Sequence, residues 1–468
     1  MLVSSVGTSA AAWHRVVVWF GVRRSSSGVA FREEPLPKSL ISLLAVLMGL
    51  AVLGGGAHGQ ARPRPADHVV VVMLDGVRAD ALRLANAPAM ARLAEEGTRF
   101  LQARTMYPSQ TRVAFVSLPT GAYAGSHGIV GGDFFLDANW QTTSLGAEAD
   151  PVPAQALVAR RTMFEEAAAA GLTSLYAAMK GYELVGARGA TWTINGNHTL
   201  DPAARAARYA PAANGSAALA LWYKQALSRQ LLDQALRVVR ESRPNLVVLN
   251  LGSADYVAHT YGPNAPEYRR TIEFLDGLMA DLLRVLDELH LRDRTAIVVS
   301  ADHGFSHGDG HTMAAVRSAA GTEIPALRAL GIEHAVTNTG GTSPGIYVRD
   351  KRRLGEVVAT LREQPWAESI YCEAAVASCD RTLSSLHAYF EGRSPDVMVD
   401  LDESVSVNYP TVGNHGSLRP TDSHIPLIFS GAGVAAGRES RAPPSFLGVA
   451  SLPPPPPALP PPPPPRPP

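Results

Sequence analysis

Carboxylates and histidines stand at the ends of apolar runs in this 468-residue sequence, and such side chains bind divalent metal ions. The runs are typical of strands buried on both faces of a parallel sheet, where ligand sites lie at the carboxyl edge. We therefore expect the polar side chains to gather at one edge of one sheet, where six of them would suit two metal ions. They are Asp75, Asp255, His259, Asp302, His303 and His415.

Thr111 is the candidate nucleophile, because its hydroxyl precedes a buried helix, predicted from the apolar residues 113–118. The free N–H groups at a helix start can hold a phosphate, although a Thr at this point is commonly only a capping residue. Two metal ions clamp the attacking and leaving oxygens of an in-line phosphoryl displacement, and one of them lowers the pKa of the hydroxyl. Arg112 and Lys180 are the predicted substrate contacts.

Buried strands and amphipathic helices alternate along the chain, which indicates an α/β fold with a mostly parallel sheet. The clearest helix has an apolar stripe at spacings of three and four residues between 268 and 289. Residues 182–215 are rich in Gly, Asn and Pro and are expected to form a loop that shapes a substrate pocket. The predicted strands are 68–74, 172–178, 246–252, 295–300 and 424–431, and the other predicted helices are 86–96, 161–170 and 216–240.

Composition divides the chain into five segments. An apolar run at 40–53 after basic residues predicts a signal peptide, with an uncleaved anchor as the alternative, and no stable membrane span. The last segment is nearly pure proline and is expected to be extended and disordered. The segments are 1–65 for targeting, 66–303 for the first part of the core, 304–394 for an inserted α+β subdomain, 395–441 for the rest of the core, and 442–468 for the proline-rich tail.

Charge and cysteine content limit the function classes. Basic and acidic residues number 42 each, so the formal net charge is zero and no nucleic-acid scaffold is expected. Cys372 and Cys379 are the only cysteines, which excludes a cysteine-based zinc site. In an exported protein they could form a short-loop disulfide, and otherwise they would be two buried thiols. The expected location is periplasmic or extracellular.

The motifs MLDG, PSQTRV, TGAYAGSHGIVG, ADYVAHTYGP, ADHGFS, GNHGS and DSHIPLIFSG, spread over residues 69–431, resemble the type I phosphodiesterase / nucleotide pyrophosphatase family of the alkaline phosphatase superfamily. The resemblance implies a three-layer α/β/α sandwich and two zinc ions. One ion would be held by Asp75, Thr111, Asp302 and His303, and the other by Asp255, His259 and His415. Thr111 would attack phosphorus, and water would then cleave the phospho-threonine.

One residue departs from the family pattern. Ala114 stands three residues after the nucleophile, where family members carry an Asn that supports a phosphate oxygen. Arg112 or a backbone N–H at the helix start could take over that contact.

Three functions therefore stay open. The first is a phosphodiesterase or pyrophosphatase acting on a small phosphodiester or nucleotide. The second is a phosphomonoesterase or phosphonoacetate-type hydrolase of the same superfamily, and the third is a catalytically impaired metal-binding protein. The ligand types would also accept manganese or cobalt, and the sequence names neither the substrate nor the oligomeric state.

Overall fold

The protein is described here from a computed structural model, which covers residues 66–136, 142–145, 151–202, 217–307, 314–315, 323–407, 411–442 and 447. These residues belong to one compact unit. The predicted targeting segment, 1–65, and nearly all of the proline-rich tail lie outside the described residues.

The strands of the described residues are given in chain order. They are β1 His68–Leu74, β2 Thr98–Phe100, β3 Asp133–Phe135, β4 Thr142–Ser144, β5 Ser174–Ala178, β6 Trp192–Asn195, β7 Leu246–Leu251, β8 Thr295–Ser300, β9 Ala314–Ala315, β10 His334–Gly340, β11 Ser343–Val348, β12 Ala367–Cys372, β13 Arg381–Thr382, β14 Val397–Leu401, β15 Val405–Ser406, β16 Leu427–Gly431 and β17 Arg438–Ser440.

The α-helices are given in the same way. They are α1 Ala79–Leu84, α2 Pro88–Glu95, α3 Thr111–Thr120, α4 Ala124–His127, α5 Pro151–Gln155, α6 Met163–Ala169, α7 Gly196–Thr199, α8 Ala217–Ser242, α9 Ser253–Tyr261, α10 Pro266–Glu288, α11 Pro325–Ala329, α12 Leu354–Arg362 and α13 Pro420–Ser423. Single 3₁₀ turns cover Gly181–Ala187, Arg292–Arg294, Lys351–Arg353 and Ser384–Leu386.

The larger sheet has eight strands in the order β17-β2-β16-β8-β1-β7-β5-β6. The five strands from β8 to β6 run parallel, and β16 pairs antiparallel with β8. The side chains of β7 and β8 are buried throughout, as an apolar run between two helical layers requires. This confirms the predicted α/β sandwich with a mostly parallel sheet.

The smaller sheet has the order β10-β11-β14-β12-β13 and is mainly antiparallel. It has an apolar core of its own, in which α12 buries Val357, Val358 and Leu361. The α+β insertion was predicted to end at residue 394, but β14 lies in the middle of this sheet. The insertion therefore extends beyond that boundary, because an apolar strand looks the same in sequence whichever sheet it joins.

Part of the region predicted as loop, 182–215, is regular. Within its described residues β6 forms the edge of the larger sheet beside β5, and α7 follows directly. The sequence WTIN gives too short a strand signal between Gly-rich flanks to be recognised. Elsewhere the predicted amphipathic helix is α10, which buries its stripe of Ile272, Leu275, Met279 and further residues as expected.

Cys372 and Cys379 form a disulfide with their Cα atoms 6.1 Å apart, which decides between the two predicted states. The bond joins the end of β12 to the loop that follows it. Within the described residues, no helix combines the length and the apolarity that crossing a bilayer requires.

Candidate metal centre and nucleophile

Three carboxylates meet at the carboxyl edge of the larger sheet. Asp75 follows β1 directly, Asp255 lies in the first turn of α9 after β7, and Asp302 follows β8. Since β1 is paired with both β7 and β8, the three residues come from neighbouring strands. All three side chains are buried.

A glycine turn shapes this edge. Gly76 has φ +74°, and a Cβ there would lie 2.6 Å from the ring of Phe305 and 3.1 Å from Asp255 Cα. Its N–H donates to Asp302 Oδ1 at 3.0 Å. The close approach of these segments therefore depends on the missing side chain.

Three histidines present the same ring nitrogen to the carboxylates. The Nδ1 atom of His259 lies 2.9 Å from the carbonyl of Gly413, that of His303 2.9 Å from Gly304 O, and that of His415 2.9 Å from Ser109 O. A carbonyl can only accept, so each Nδ1 carries a proton and each Nε2 faces the site. Burial lowers the pKa of His303 and holds that of His415 well below its usual value, which keeps both rings neutral.

Each carboxylate has one buried oxygen without a hydrogen-bond partner: Asp75 Oδ1, Asp255 Oδ1 and Asp302 Oδ2. His303 Nε2 lies 3.5 Å from the first of these atoms and 3.3 Å from the third. Asp255 Oδ1 lies 3.3 Å from His259 Nε2 and 3.7 Å from His415 Nε2. Leaving such oxygens buried without a partner is costly, so the donor set fits divalent cations.

The ligand atoms form two compact groups, Asp255–His259–His415 and Asp75–Asp255–His303, with all atoms of a group within 4.8 Å of one another. The first group consists of the three residues predicted to hold the second metal ion. In the other group Asp255 appears where Asp302 was predicted, so that one carboxylate is shared. Asp302 nevertheless lies beside His303, and burial together with the Asp75 carboxylate raises its pKa well above the usual range.

Thr111 stands at the start of α3 and faces this centre. It is the first helical residue, while the N-cap is Gln110, whose side chain makes no capping hydrogen bond. The Thr111 hydroxyl is buried and lies 3.0 Å from His303 Nε2. This contact points the hydroxyl towards the carboxylate–histidine groups, which a capping role does not require.

Lys180 lies beneath the carboxylates, fully buried. Its Nζ is 3.0 Å from Asp75 Oδ2 and 2.9 Å from Asp255 Oδ2, the oxygens opposite the unpartnered ones. Burial would raise the pKa of Asp255, but the Lys180 ammonium holds it well below the usual range. The substrate contact predicted for Lys180 stays a prediction, since its ammonium group is engaged with the carboxylates.

Two neighbours of Lys180 were not singled out from the sequence. Asn250 donates to Asp75 Oδ2 at 3.1 Å, and a polar residue inside the apolar run LVVLNL was a signal that could have found it. Glu183 accepts from the Lys180 backbone N–H at 3.1 Å, and burial raises the pKa of Glu183 to about 8. Nothing in the local sequence of Glu183 marks it as buried.

The remaining residues considered from the sequence have varied surroundings. Arg112 stacks over the ring of Tyr182, 4.1 Å from its centroid, and donates to the Leu145 carbonyl. Ala114 is buried in the first turn of α3. His127 is buried away from the centre: its Nδ1 accepts from the N–H of Ile129, and its Nε2 lies 2.8 Å from Ser117 Oγ.

The chain belongs to the type I phosphodiesterase / nucleotide pyrophosphatase family. The family's sequence model matches residues 69–418, which include all the residues of the centre. This agrees with the resemblance seen in the sequence motifs.

Two characterised relatives each match part of this chain. Alkaline phosphatase PafA of Elizabethkingia meningoseptica is 25% identical over 240 residues, which are 46% of this chain and 44% of that protein. GPI ethanolamine phosphate transferase 1 of Gibberella zeae is 26% identical over 300 residues, 57% of this chain and 27% of that protein. The matches thus span less than half the length of each relative.

Among solved structures, an inactive murine ectonucleotide pyrophosphatase / phosphodiesterase 5 in complex with AMP has a similar fold, with a TM-score of 0.63. The two chains are 17% identical, and the similarity covers 82% of this chain and 93% of the murine one. At this identity the likeness concerns the fold alone.

Proposed function

We propose that this protein is a two-metal hydrolase that cleaves phosphodiester or pyrophosphate bonds through a phospho-threonine intermediate. Asp75, Asp302 and His303, with Thr111, would hold one ion, and Asp255, His259 and His415 the other. Zinc suits a site of imidazole and carboxylate ligands, and when bound such ions neutralise charge on the transferred group and activate oxygen nucleophiles.

The observation that carries the proposal is the position of Thr111. Its hydroxyl touches His303 within a set of carboxylate oxygens that have no partner. Oγ1 of Thr111 would form the new bond to phosphorus while the bond to the leaving alcohol or nucleotide breaks, and water would then release phosphate or a phosphomonoester from Thr111. Thr111 is the first residue of α3, and the start of a helix favours an anion.

Arg112 is the proposed partner of a phosphoryl oxygen that the family's Asn would otherwise support. Arg112 directly follows the nucleophile in sequence, and its guanidinium group stacks on the ring of Tyr182. Lys180 would contribute positive charge from below, through Asp75 and Asp255. The substrate itself is proposed as a small phosphodiester or nucleotide, since the murine structure named above was solved with AMP.

The first test compares hydrolysis of bis(p-nitrophenyl) phosphate and p-nitrophenyl phosphate by the zinc-loaded protein. Preferred diester turnover, lost in Thr111→Ala and partly kept in Thr111→Ser, is the expected result, because serine retains a hydroxyl nucleophile. Metal content, measured by mass spectrometry, should stay near two ions in Thr111→Ser, which keeps the hydroxyl ligand. Full activity of Thr111→Ala would refute the phospho-threonine mechanism.

A phosphomonoesterase is the second candidate, favoured by the similarity to alkaline phosphatase PafA. It predicts faster turnover of p-nitrophenyl phosphate in the same assay. The similarity to a phosphate transferase suggests an added arm in which a small alcohol competes with water for the phospho-threonine. Binding of two metals without turnover of either ester would instead indicate a catalytically impaired binding protein.

The proposed location is outside the cytoplasm. The disulfide between Cys372 and Cys379 supports it, because such bonds persist mainly in oxidising compartments. Fractionation of cells that express the full chain tests the location directly, and a wholly cytoplasmic protein would contradict it.

A further inference from the structure

Asp422 lies in α13, outside the metal centre, and its side chain is fully buried. Its carboxylate accepts hydrogen bonds from three different segments of the chain. Oδ1 accepts from the hydroxyl of Ser306. Oδ2 accepts from Thr342 Oγ1 at 3.0 Å and, at 3.0 and 2.6 Å, from the backbone N–H and hydroxyl of Ser417.

The first of these segments carries His303. The backbone carbonyl of Asp422 accepts from Gly304 N at 2.7 Å, and the carbonyl of Gly304 in turn accepts from His303 Nδ1. A Cβ at Gly304 would lie 2.0 Å from Thr421 O, so the two backbones touch. The orientation of the His303 ring is therefore coupled to the position of Asp422.

The second segment carries His415, two residues before Ser417. This segment is also joined to the first, since Ser306 N donates to Asn414 O at 2.8 Å and Asn414 N donates to Ser306 O at 3.3 Å. The His303 and His415 rings stack with their centroids 3.4 Å apart. Asp422 thus binds both sides of this stacked pair.

The third segment is different. Thr342 lies in the turn between β10 and β11 of the smaller sheet, and its side chain connects Asp422 to that sheet. Its backbone N–H also donates to the carbonyl of His415 at 2.9 Å, a bond that does not involve the side chain. Removing the Thr342 hydroxyl therefore breaks the link from Asp422 to the smaller sheet and leaves the backbone contact with His415 in place.

We propose that Asp422 is a positioning residue, which fixes the spacing of His303 and His415 and thereby the affinity of the centre for metal ions. The inference rests on the proposed function, because the spacing matters for metal only if both histidines are ligands. A neutral amide is a poorer partner than the carboxylate, because one of the two acceptor oxygens becomes an NH₂ group and the negative charge is lost.

The test is zinc binding by the full chain without substrate, measured by competition with a chromophoric chelator. Asp422→Asn should weaken zinc binding on the order of tenfold, as lost outer contacts of metal ligands do. Ser306→Ala should act in the same direction to a smaller extent. Thr342→Val should leave the affinity close to wild type, because it removes the link to the smaller sheet alone.

Asp276→Asn is the matched control for a buried carboxylate. Asp276 is buried in α10 and accepts from the N–H groups of Ala89 and Met90 at 3.0 and 2.8 Å, away from the centre. This variant should lose stability but bind zinc normally. In Asp422→Asn, raising the zinc concentration should restore turnover.

The proposal is overturned if Asp422→Asn folds and binds zinc like wild type, or no more weakly than Asp276→Asn. If Asp422→Asn does not fold, Ser306→Ala and Thr342→Val decide, and an equal or larger loss in Thr342→Val refutes the proposal. Failure of the proposed function looks different, because it concerns the wild-type protein. If the wild type binds zinc but hydrolyses no ester, the proposed function alone is overturned. If the wild type binds no zinc, both proposals are overturned.

Discussion

Two sets of buried carboxylates lie in this protein and are built differently. In the metal centre, Asp75, Asp255 and Asp302 each keep one oxygen without a partner. Asp400 and Asp422 form the second set, which we call the support, and both oxygens of each carboxylate accept hydrogen bonds. Asp400 accepts from the hydroxyls of Tyr107, Ser343 and Tyr371 and from the N–H of Leu418. The carboxylate oxygens of the support are therefore all hydrogen-bonded within the protein, while the centre keeps unpartnered oxygens that a cation could bind.

The two supporting carboxylates divide neighbouring residues between them. Asp422 takes Thr342 and Ser417, and Asp400 takes the next residue in each case, Ser343 and Leu418. Through Tyr107, Asp400 also reaches the segment that leads to the nucleophile. Fully bonded carboxylates thus hold the loops, and partly bonded ones belong to the candidate metal centre. This contrast predicts opposite responses to mutation and metal.

The largest effect is expected for Asp255→Asn, because this carboxylate belongs to both ligand groups. Turnover should fall at least about 100-fold, the upper end of the cost of an altered outer contact, and metal content should fall below two ions. Ester hydrolysis and mass spectrometry of bound metal measure both quantities. Asp400→Asn is the matched control and should retain its metal; equal metal loss in the two variants would contradict the contrast.

Removal of metal should destabilise the centre and leave the support unchanged. At a metal concentration 1,000 times the dissociation constant, binding to the folded state contributes about 4 kcal/mol. Denaturant unfolding with zinc and with EDTA measures this difference. Asp75→Asn should shrink it, whereas Asp400→Asn should not, and an unfolding midpoint insensitive to EDTA would argue against a metal centre.

Lys180→Met should destabilise the metal-free protein by about 3 kcal/mol, because it leaves Asp75 and Asp255 buried without their cation. Lys351→Met serves as the control: Lys351 pairs with buried Asp396 but is itself 59% exposed, so its loss should cost about 1 kcal/mol or less. Denaturant unfolding in EDTA compares the two. Equal effects would show that the ammonium of Lys180 has no special role in the centre.

Asp400 should give the smallest effect, visible as a pH dependence. Burial raises the pKa of Asp400 to about 6, and the nearby Asp422 carboxylate adds to this rise. Hydrogen bonds from the N–H of Leu418 and from the hydroxyls of Ser343 and Tyr371 act in the opposite direction and lower the pKa. With the folded pKa above the unfolded one, its contribution is present at low pH and lost as pH rises towards 6 and above. The free energy of unfolding of the wild type, minus that of Asp400→Asn, should therefore fall by about 1.4 kcal/mol between pH 5 and 7.5.

Unfolding titrations of both proteins at several pH values check this prediction. Tyr107 and Tyr371 stay neutral throughout, since burial raises the pKa of both phenols. A stability difference that does not change with pH would show that Asp400 keeps an ordinary pKa.

The sequence predicted the parts of the centre that depend on local signals. Asp75 and Asp302 follow apolar runs, and runs of this kind have few alternatives to a buried parallel strand. The hydrogen bonds of the His259 and His415 rings could not be predicted. Each ring donates to a backbone carbonyl that is distant in sequence, that of Gly413 for His259 and that of Ser109 for His415. The sharing of Asp255 depends on distances of a few ångströms, which no pattern encodes.

The support was missed for the same reason. Asp422 is followed by Ser and His in a segment with no regular pattern, and its partners lie 5, 80 and 116 positions away. β14 was assigned to the wrong side of the insertion boundary because VMVDL fits either sheet. Long-range hydrogen bonding, rather than residue type, distinguishes a supporting carboxylate from a ligand.

Lys180 has a consequence for how the protein matures. Before any metal arrives, the newly made chain must bring three carboxylates together in a dry interior, and their mutual repulsion opposes this step. The ammonium group between Asp75 and Asp255 offsets part of that repulsion from within the chain itself. The chain can therefore bring these carboxylates together without needing a metal ion to offset their repulsion.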